Sequence, residues 1–344
     1  MARPKPSRRR ASTSGRKPQP GFHWRRVRFS RRAADLKRGL LRADIAGMRR
    51  ARNSADPVGI AAESLAEVIY TPASRLRQPG RLLRSMWCDL TASRELAWRL
   101  LVRNVSARYR QTALGYLWVC LPPIVTTAVF VYLRSSSLLE VGDTGVPYAV
   151  FVLAGTVLWQ AFVDALHSPI QMMGQSKSML IKLNFPREAL ILAGAAEVLL
   201  NSSVRFVLLA AALLWFGVGV SATALLLPLG VLVLVAMGLG IGVLLTPLAL
   251  LYRDVEQGLV VALTLWMFVT PVLYPAPAAW PGSLTVHLNP VGPVLDTTRA
   301  WLLTGSPAHI EGFLWVAVGT TLLLLCGWGL LRLAFPVLIE RLGA

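Results

Sequence analysis

Apolar positions along this chain gather in long blocks rather than in the mixed pattern of a soluble domain. An Arg/Pro/Ser-rich stretch comes first, and no extended apolar run begins before residue 110. Six runs then follow, at roughly 112–133, 148–168, 189–216, 224–251, 257–275 and 312–335. Each is near the ~20 residues a helix needs to cross a bilayer core, and two are long enough to tilt or extend past the lipid. The pattern predicts an all-α integral membrane protein with six transmembrane helices. Just before the first run, residues 94–111 read RELAWRLLVRNVSARYRQ. At about 100° per residue, Trp98, Leu101, Val102, Val105 and Tyr109 fall on one arc, and Arg99, Arg103 and Arg110 cluster on another. That spacing predicts an amphipathic interface helix, within residues 86–111, with its guanidinium groups at headgroup level.

The stretch between the fifth and sixth runs has its own punctuation, PVLYPAPAAWPGSLTVHLNPVGPVLDTTRAWLLTG over residues 271–305. Pro271, Pro275, Pro277, Pro281, Pro290 and Pro293 forbid one continuous helix. Asn289-Pro290 reads as a helix start and Gly305 as its stop. Trp280 and Trp301 suit a membrane–water boundary. Two short re-entrant helices are expected here, tolerated where protein or water satisfies the backbone.

Charge divides the chain. It carries 36 Lys+Arg against 17 Asp+Glu, a formal +19, yet it is 54% hydrophobic and only 15% charged. A soluble domain is about 25% charged, so a soluble single-domain enzyme is excluded. Residues 1–87 hold 22 of the cations and 5 of the anions, and the remainder is nearly neutral. Residues 1–85 therefore read as a basic, largely disordered cytoplasmic arm. Its cations either attract anionic lipid, at roughly 1 kcal/mol each near the surface, or only enforce topology. Over residues 1–56 only Phe22, Trp24 and Phe29 could stack on bases, so nucleic acid is not an expected partner. With the arm inside, 33 of the 36 cations lie on the cytoplasmic side, which predicts that both termini are cytoplasmic.

The sequence offers little for catalysis. Cys88, Cys120 and Cys326 fit no metal or redox spacing. Among five lysines only Lys177 precedes a Ser or Thr, without the glycine of a phosphate-binding loop. No nucleotide is expected to bind by that route, so any ATP dependence would come from a partner, and no metal or cofactor site of its own is expected. Ionisable groups within apolar runs are functional candidates. Asp164 lies near the end of the second run, and Glu197, Asn201 and Arg205 follow one another at i, i+4 and i+8 in the third. They form a polar stripe along a conduit, an intrahelical Glu–Asn–Arg network that neutralises itself, or polar glue between helices.

Five stretches, in order, carry a resemblance. They are Arg108-Tyr109-Arg110-Gln111-Thr112 with Leu114-Gly115, Trp118 and Pro122; then Asn184-Phe185-Pro186-Arg187-Glu188; then Tyr252-Arg253-Asp254. Thr270-Pro271-Val272 with Tyr274-Pro275 follows, and Leu288-Asn289-Pro290 with Arg299 comes last. Residues of about 90–342 resemble the permease subunit of type-2 ATP-binding-cassette exporters of polysaccharides, the O-antigen, capsule and teichoic-acid branch. Thr270 stands where that family usually has Ser, and the arm lies outside the resemblance.

The resemblance implies a homodimer of six-helix subunits in the bacterial cytoplasmic membrane, paired with a separate ATPase subunit that binds ATP and Mg. Residues 112–344 would be the six-span permease domain. The interface helix, with Arg99, Arg103, Arg108 and Tyr109, would lead through a Leu114-Gly115 turn at the substrate's intake. Lys177, Lys182, Phe185, Pro186 and Arg187 would couple to the ATPase, and Arg253 and Asp254 would sit in a cytoplasmic loop. Pro271, Asn289, Pro290 and Arg299 would belong to an outer gate. Tyr132, Trp159, Phe162 and Trp266 would join Glu197, Asn201 and Arg205 as conduit candidates for a lipid-linked glycan. The rivals are a type-2 permease for small hydrophobic compounds, a membrane glycosyltransferase, which lacks a carboxylate cluster here, and a proton-coupled lipid-sugar flippase resting on Asp164 and Glu197.

Overall fold

The computed structural model describes residues 88–110, 114–139, 141–177, 186–276, 288–305 and 310–343. Within them all regular structure is helical. The elements are α1 (Arg94–Tyr109), α2 (Leu117–Ser135), α3 (Tyr148–Gln175), α4 (Arg187–Trp215), α5 (Leu227–Leu251), α6 (Arg253–Val269), α7 (Val291–Leu303) and α8 (Ile310–Gly343), with a 3-10 turn (Ala222–Leu226) leading into α5. Five segments are long and apolar enough to cross a membrane: Leu117–Ser135, Tyr148–Gln175, Arg187–Trp215, Ala222–Leu251 and Ile310–Phe335. The expected fifth span is the 17-residue α6, which ends at Val269 just before Thr270-Pro271.

α3 is the axis of the bundle. In its apolar window 78% of the residues are buried, against 11% in α2 and 17% in the span of α8, so those two turn their apolar side chains outward. α5 crosses α3 at very short range. A Cβ added at Gly238 would lie 2.4 Å from the carbonyl oxygen of Phe162, and one at Gly242 would lie 2.2 Å from that of Leu166. Gly240, on another face, meets Leu323 of α8. Small residues four apart let helix backbones close on each other, and in lipid that packing drives association in place of the hydrophobic effect.

α1 packs on α4 through Ala97, Leu100 and Leu101, all buried. Of the expected apolar arc Leu101 is buried, while Trp98 (66%) and Val102 (48%) are exposed. Arg99 reaches Glu95 at 2.5 Å along the exposed face, and Arg103 contacts Asn104. α3 also runs further than its apolar run. It continues through Pro169 to Gln175, seven residues past the expected end of the second span at 168.

Candidate functional site

Two polar regions lie well apart along α3, one around Asp164 and beyond, the other around Phe151 and Gly155. Thirteen residues separate Phe151 from Asp164, about 20 Å of helix.

The first is a cavity of about 440 Å³ among α1, α2, α3 and α4. α3 supplies Asp164, His167, Ser168, Gln171 and Gln175, and α4 supplies Gly194, Glu197, Val198, Asn201 and Arg205. The two sets share one spacing, i, i+3, i+4, i+7 and i+11, which is the spacing of a single helix face. The faces meet where Gly194 leaves room for Ser168; a Cβ there would lie 2.1 Å from its Oγ. Arg108 from the end of α1 and Trp118 from the start of α2 complete the lining. Gly115 sits between those helices with φ +51°, in the left-handed region that glycine adopts most readily, and so turns the chain along the cavity rim.

The ion pairs in this cavity run between helices. Arg108 Nη1 lies 2.6 Å from Glu197 Oε1. Arg205 Nη1 lies 2.7 Å from Asp164 Oδ2, and its Nε donates to the carbonyl oxygen of Val119 at 3.2 Å. Of the arrangements open for Glu197 and Arg205, these pairs are of the interhelical kind, since each arginine reaches across to a neighbouring helix. Glu197, Asn201, Ser202 and Arg205 are all buried. Among the described residues, Glu197 Oε2, Ser168 Oγ and His167 Nδ1 are buried without a hydrogen-bond partner.

The second region is the turn after α6 and the helix α7. Asn289 ties three elements: its Oδ1 accepts from Trp266 Nε1 (3.0 Å) and from the Val291 amide (3.1 Å), and its Nδ2 donates to Thr270 Oγ1 (2.7 Å). α7 then begins after Pro290 and ends at Gly305, φ +76°, whose amide donates to the carbonyl of Ala300. Helix start and stop therefore fall where the sequence placed them. Arg299, buried, pairs with Asp296 and donates through Nη1 to the carbonyls of Pro271 (3.1 Å) and Val272 (3.3 Å). Its guanidinium stacks 3.8 Å from the ring centre of Phe151 on α3. The first helix of the expected re-entrant pair falls on 277–287, outside the described residues.

A third contact set ties the start of α4 to α8. Arg332 donates to Glu188 Oε1 through Nε (3.0 Å) and Nη2 (2.8 Å) and also pairs with Asp89. Arg187 lies 3.9 Å from the ring centre of Phe335. Of the coupling residues, Lys177 follows α3 and Pro186 precedes α4, while Lys182 and Phe185 lie outside the described residues. Arg253 and Asp254 are exposed at the first turn of α6, where Asp254 and Glu256 complement the helix dipole.

The aromatic conduit candidates divide. Trp159 and Phe162 are buried in the core, with ring centres 5.3 Å apart, and Trp266 completes the cluster. Tyr132 stands apart, 67% exposed on α2. A continuous ring of these four is therefore not formed within one subunit. Sequence reasoning missed His167, Ser168, Gln171 and Gln175, although their helical spacing from Asp164 was a usable signal.

The chain is similar to the O-antigen export system permease protein RfbA of Myxococcus xanthus, 27% identical over 220 residues that span 62% of this chain and 82% of that one. It is also similar to a protein of the same name from Klebsiella pneumoniae, 22% identical over 231 residues, 63% of this chain and 86% of that one. Residues 95–303, from α1 through α7 and more than half of its length, match the model of the ABC-2 type transporter family, and the chain belongs to that family.

Proposed function

We propose that this chain is the permease subunit of an exporter that moves a lipid-linked polysaccharide across the bacterial cytoplasmic membrane. The observation that carries this reading is the family match from α1 through α7 together with relatives named as O-antigen export permeases. A separate ATPase subunit binds ATP and Mg and supplies the energy. Two copies of the permease enclose the path, with both termini in the cytoplasm.

ATP binding by the partner favours one arrangement of the dimer, and the segment between α3 and α4 transmits that preference. Pro186 sets where α4 starts, and the Arg332–Glu188 and Arg187–Phe335 contacts anchor that start to α8. Movement of the segment would thus be passed to two membrane helices at once. Asn289, Pro290 and Arg299 hold the outer gate, and α1 lies along the cytoplasmic boundary.

Deleting the gene and restoring it by plasmid, with surface glycan as the readout, tests the reading. Loss and recovery of surface glycan are expected, with a co-purifying ATPase subunit. A cysteine replacing Ser178 on a cysteine-free background should crosslink to that subunit, and Lys177→Glu with Lys182→Glu should uncouple ATP hydrolysis from export. Export that persists without any ATPase and follows the proton gradient would overturn it.

A further inference from the structure

The cavity among α1, α2, α3 and α4 has more polar capacity than its own ion pairs consume. We propose that it is a binding site for a neutral saccharide unit, held through its hydroxyl groups, rather than for a phosphate group; this rests on the glycan-export reading above.

Charge balance is the first argument. The two guanidiniums of the cavity each already hold a carboxylate, Arg108 with Glu197 and Arg205 with Asp164. Two arginines and two carboxylates leave the cavity without excess positive charge, so a phosphate entering it would meet Asp164 and Glu197 as well as the two guanidiniums. A neutral polyol disturbs neither pair.

Unused hydrogen-bonding capacity is the second. Glu197 Oε2 and Ser168 Oγ, on residues 5% and 7% exposed, have no partner among the described residues, and His167 Nδ1 is in the same position. Buried polar atoms are normally satisfied, and these three belong to residues that line one cavity, where a ligand that brings donors and acceptors together would complement them. A hydroxyl does both. Gln171 and Gln175, exposed on the cavity side of α3, add amides that both donate and accept. Carboxylate, amide and hydroxyl groups beside an aromatic face, here Trp118, can hold both the polar rim and the C–H face of a sugar ring.

Size and access are the third. About 440 Å³ falls within the roughly 300–1,000 Å³ of small-molecule sites, enough for a monosaccharide unit and its linkage. The cavity borders the Gly115 turn and the half-exposed Arg108, so it opens at the end of the bundle where α1 meets α2.

The test uses the full chain in lipid nanodiscs and saturation-transfer NMR with D-mannose, D-galactose, L-rhamnose and N-acetyl-D-glucosamine, alongside inorganic pyrophosphate followed by phosphorus line width. Transfer to at least one sugar is expected, undisturbed by pyrophosphate. The Gln171→Leu, Gln175→Leu double variant, which leaves both ion pairs in place, should weaken binding roughly tenfold, the effect of one or two lost hydrogen bonds. Unchanged helicity and thermal midpoint would confirm that it folds. Transfer to no sugar, transfer insensitive to both the glutamine and Trp118→Leu variants, or pyrophosphate that competes with sugar would each overturn the site. Surface glycan measured in the same strains separates the two readings. A wild-type chain that supports export yet binds no sugar sinks the site and leaves the export function standing. Sugar binding in a chain whose deletion leaves surface glycan intact does the reverse.

Discussion

Both polar regions of this bundle bury arginines beside carboxylates, and they use them in opposite ways. At the turn after α6 Arg299 is enclosed: Asp296, two carbonyl oxygens and the face of Phe151 surround it. In the cavity Arg108 remains 46% exposed, and open space adjoins both it and its partner Glu197. A buried ion pair tied to two backbone carbonyls and stacked on a ring fixes a geometry. A pair that borders space is suited to exchange partners. The same chemistry makes a lock in one place and an adaptable site in the other.

The largest predicted effect tests the lock. Arg299→Met leaves Asp296 buried without its cation and frees two carbonyls, which costs about 3–5 kcal/mol. Thermal unfolding in detergent should show a large drop, and surface glycan should be lost. Arg299→Lys should not rescue it, because an ammonium on a flexible stem cannot reproduce a planar fork. Adding Asp296→Leu to Arg299→Met should recover much of the stability and little of the export. A stable, exporting Arg299→Met chain would remove the distinction between the two regions.

Steric tolerance gives the next contrast. A Cβ at Gly155 would lie 2.3 Å from the backbone oxygen of Val272, whereas at Gly194 the nearest atom is the Ser168 hydroxyl, which can rotate. Gly155→Ala should cost about 1–3 kcal/mol, the usual range for overpacking, and Gly194→Ala distinctly less. Equal losses of thermal stability would contradict the picture of a rigid turn and a forgiving cavity.

Much of this was legible from the chain, and the parts that were not share a cause. Apolar runs of helical length announce the spans whatever they pack against, and Asn289-Pro290 and Gly305 mark α7 by local backbone chemistry alone. Hydropathy hides Gln171 and Gln175, so the sequence ended the second span too early. Glu197 and Arg205 look like partners because they share a helix face. Arginine side chains are long enough to reach the next helix, and which helix stands there is a tertiary fact. Trp159 and Phe162 were conduit candidates because aromatic residues suit sugars, but only packing shows that they fill the core.

Interhelical pairing yields a double-mutant cycle of moderate size. Arg108→Gln and Glu197→Gln should couple by about 1 kcal/mol, a modest value because Arg108 is half-exposed and solvent screens it. Glu197→Gln with Arg205→Gln should be closer to additive, since each contacts a different partner. Stability of the four chains in each cycle, read by chemical unfolding in detergent, decides it. Stronger coupling in the second cycle would restore the intrahelical network.

The smallest effect belongs to Pro290, which the sequence singled out as the gate's fixed point. It stands at φ −67° just before α7 and is itself exposed. The start of that helix is held mainly by the Asn289 side chain, which joins Trp266, Thr270 and the Val291 amide. Pro290→Gly therefore removes only a restriction on the unfolded chain, and it should cost about 0.4–1 kcal/mol. Asn289→Ala leaves buried donors and acceptors unmatched and should cost about 1–3 kcal/mol. Surface glycan should fall slightly in the first variant and markedly in the second at equal protein level. The reverse order would place the gate's rigidity in the proline ring, and the lock would then rest on backbone stiffness rather than on the side-chain knot.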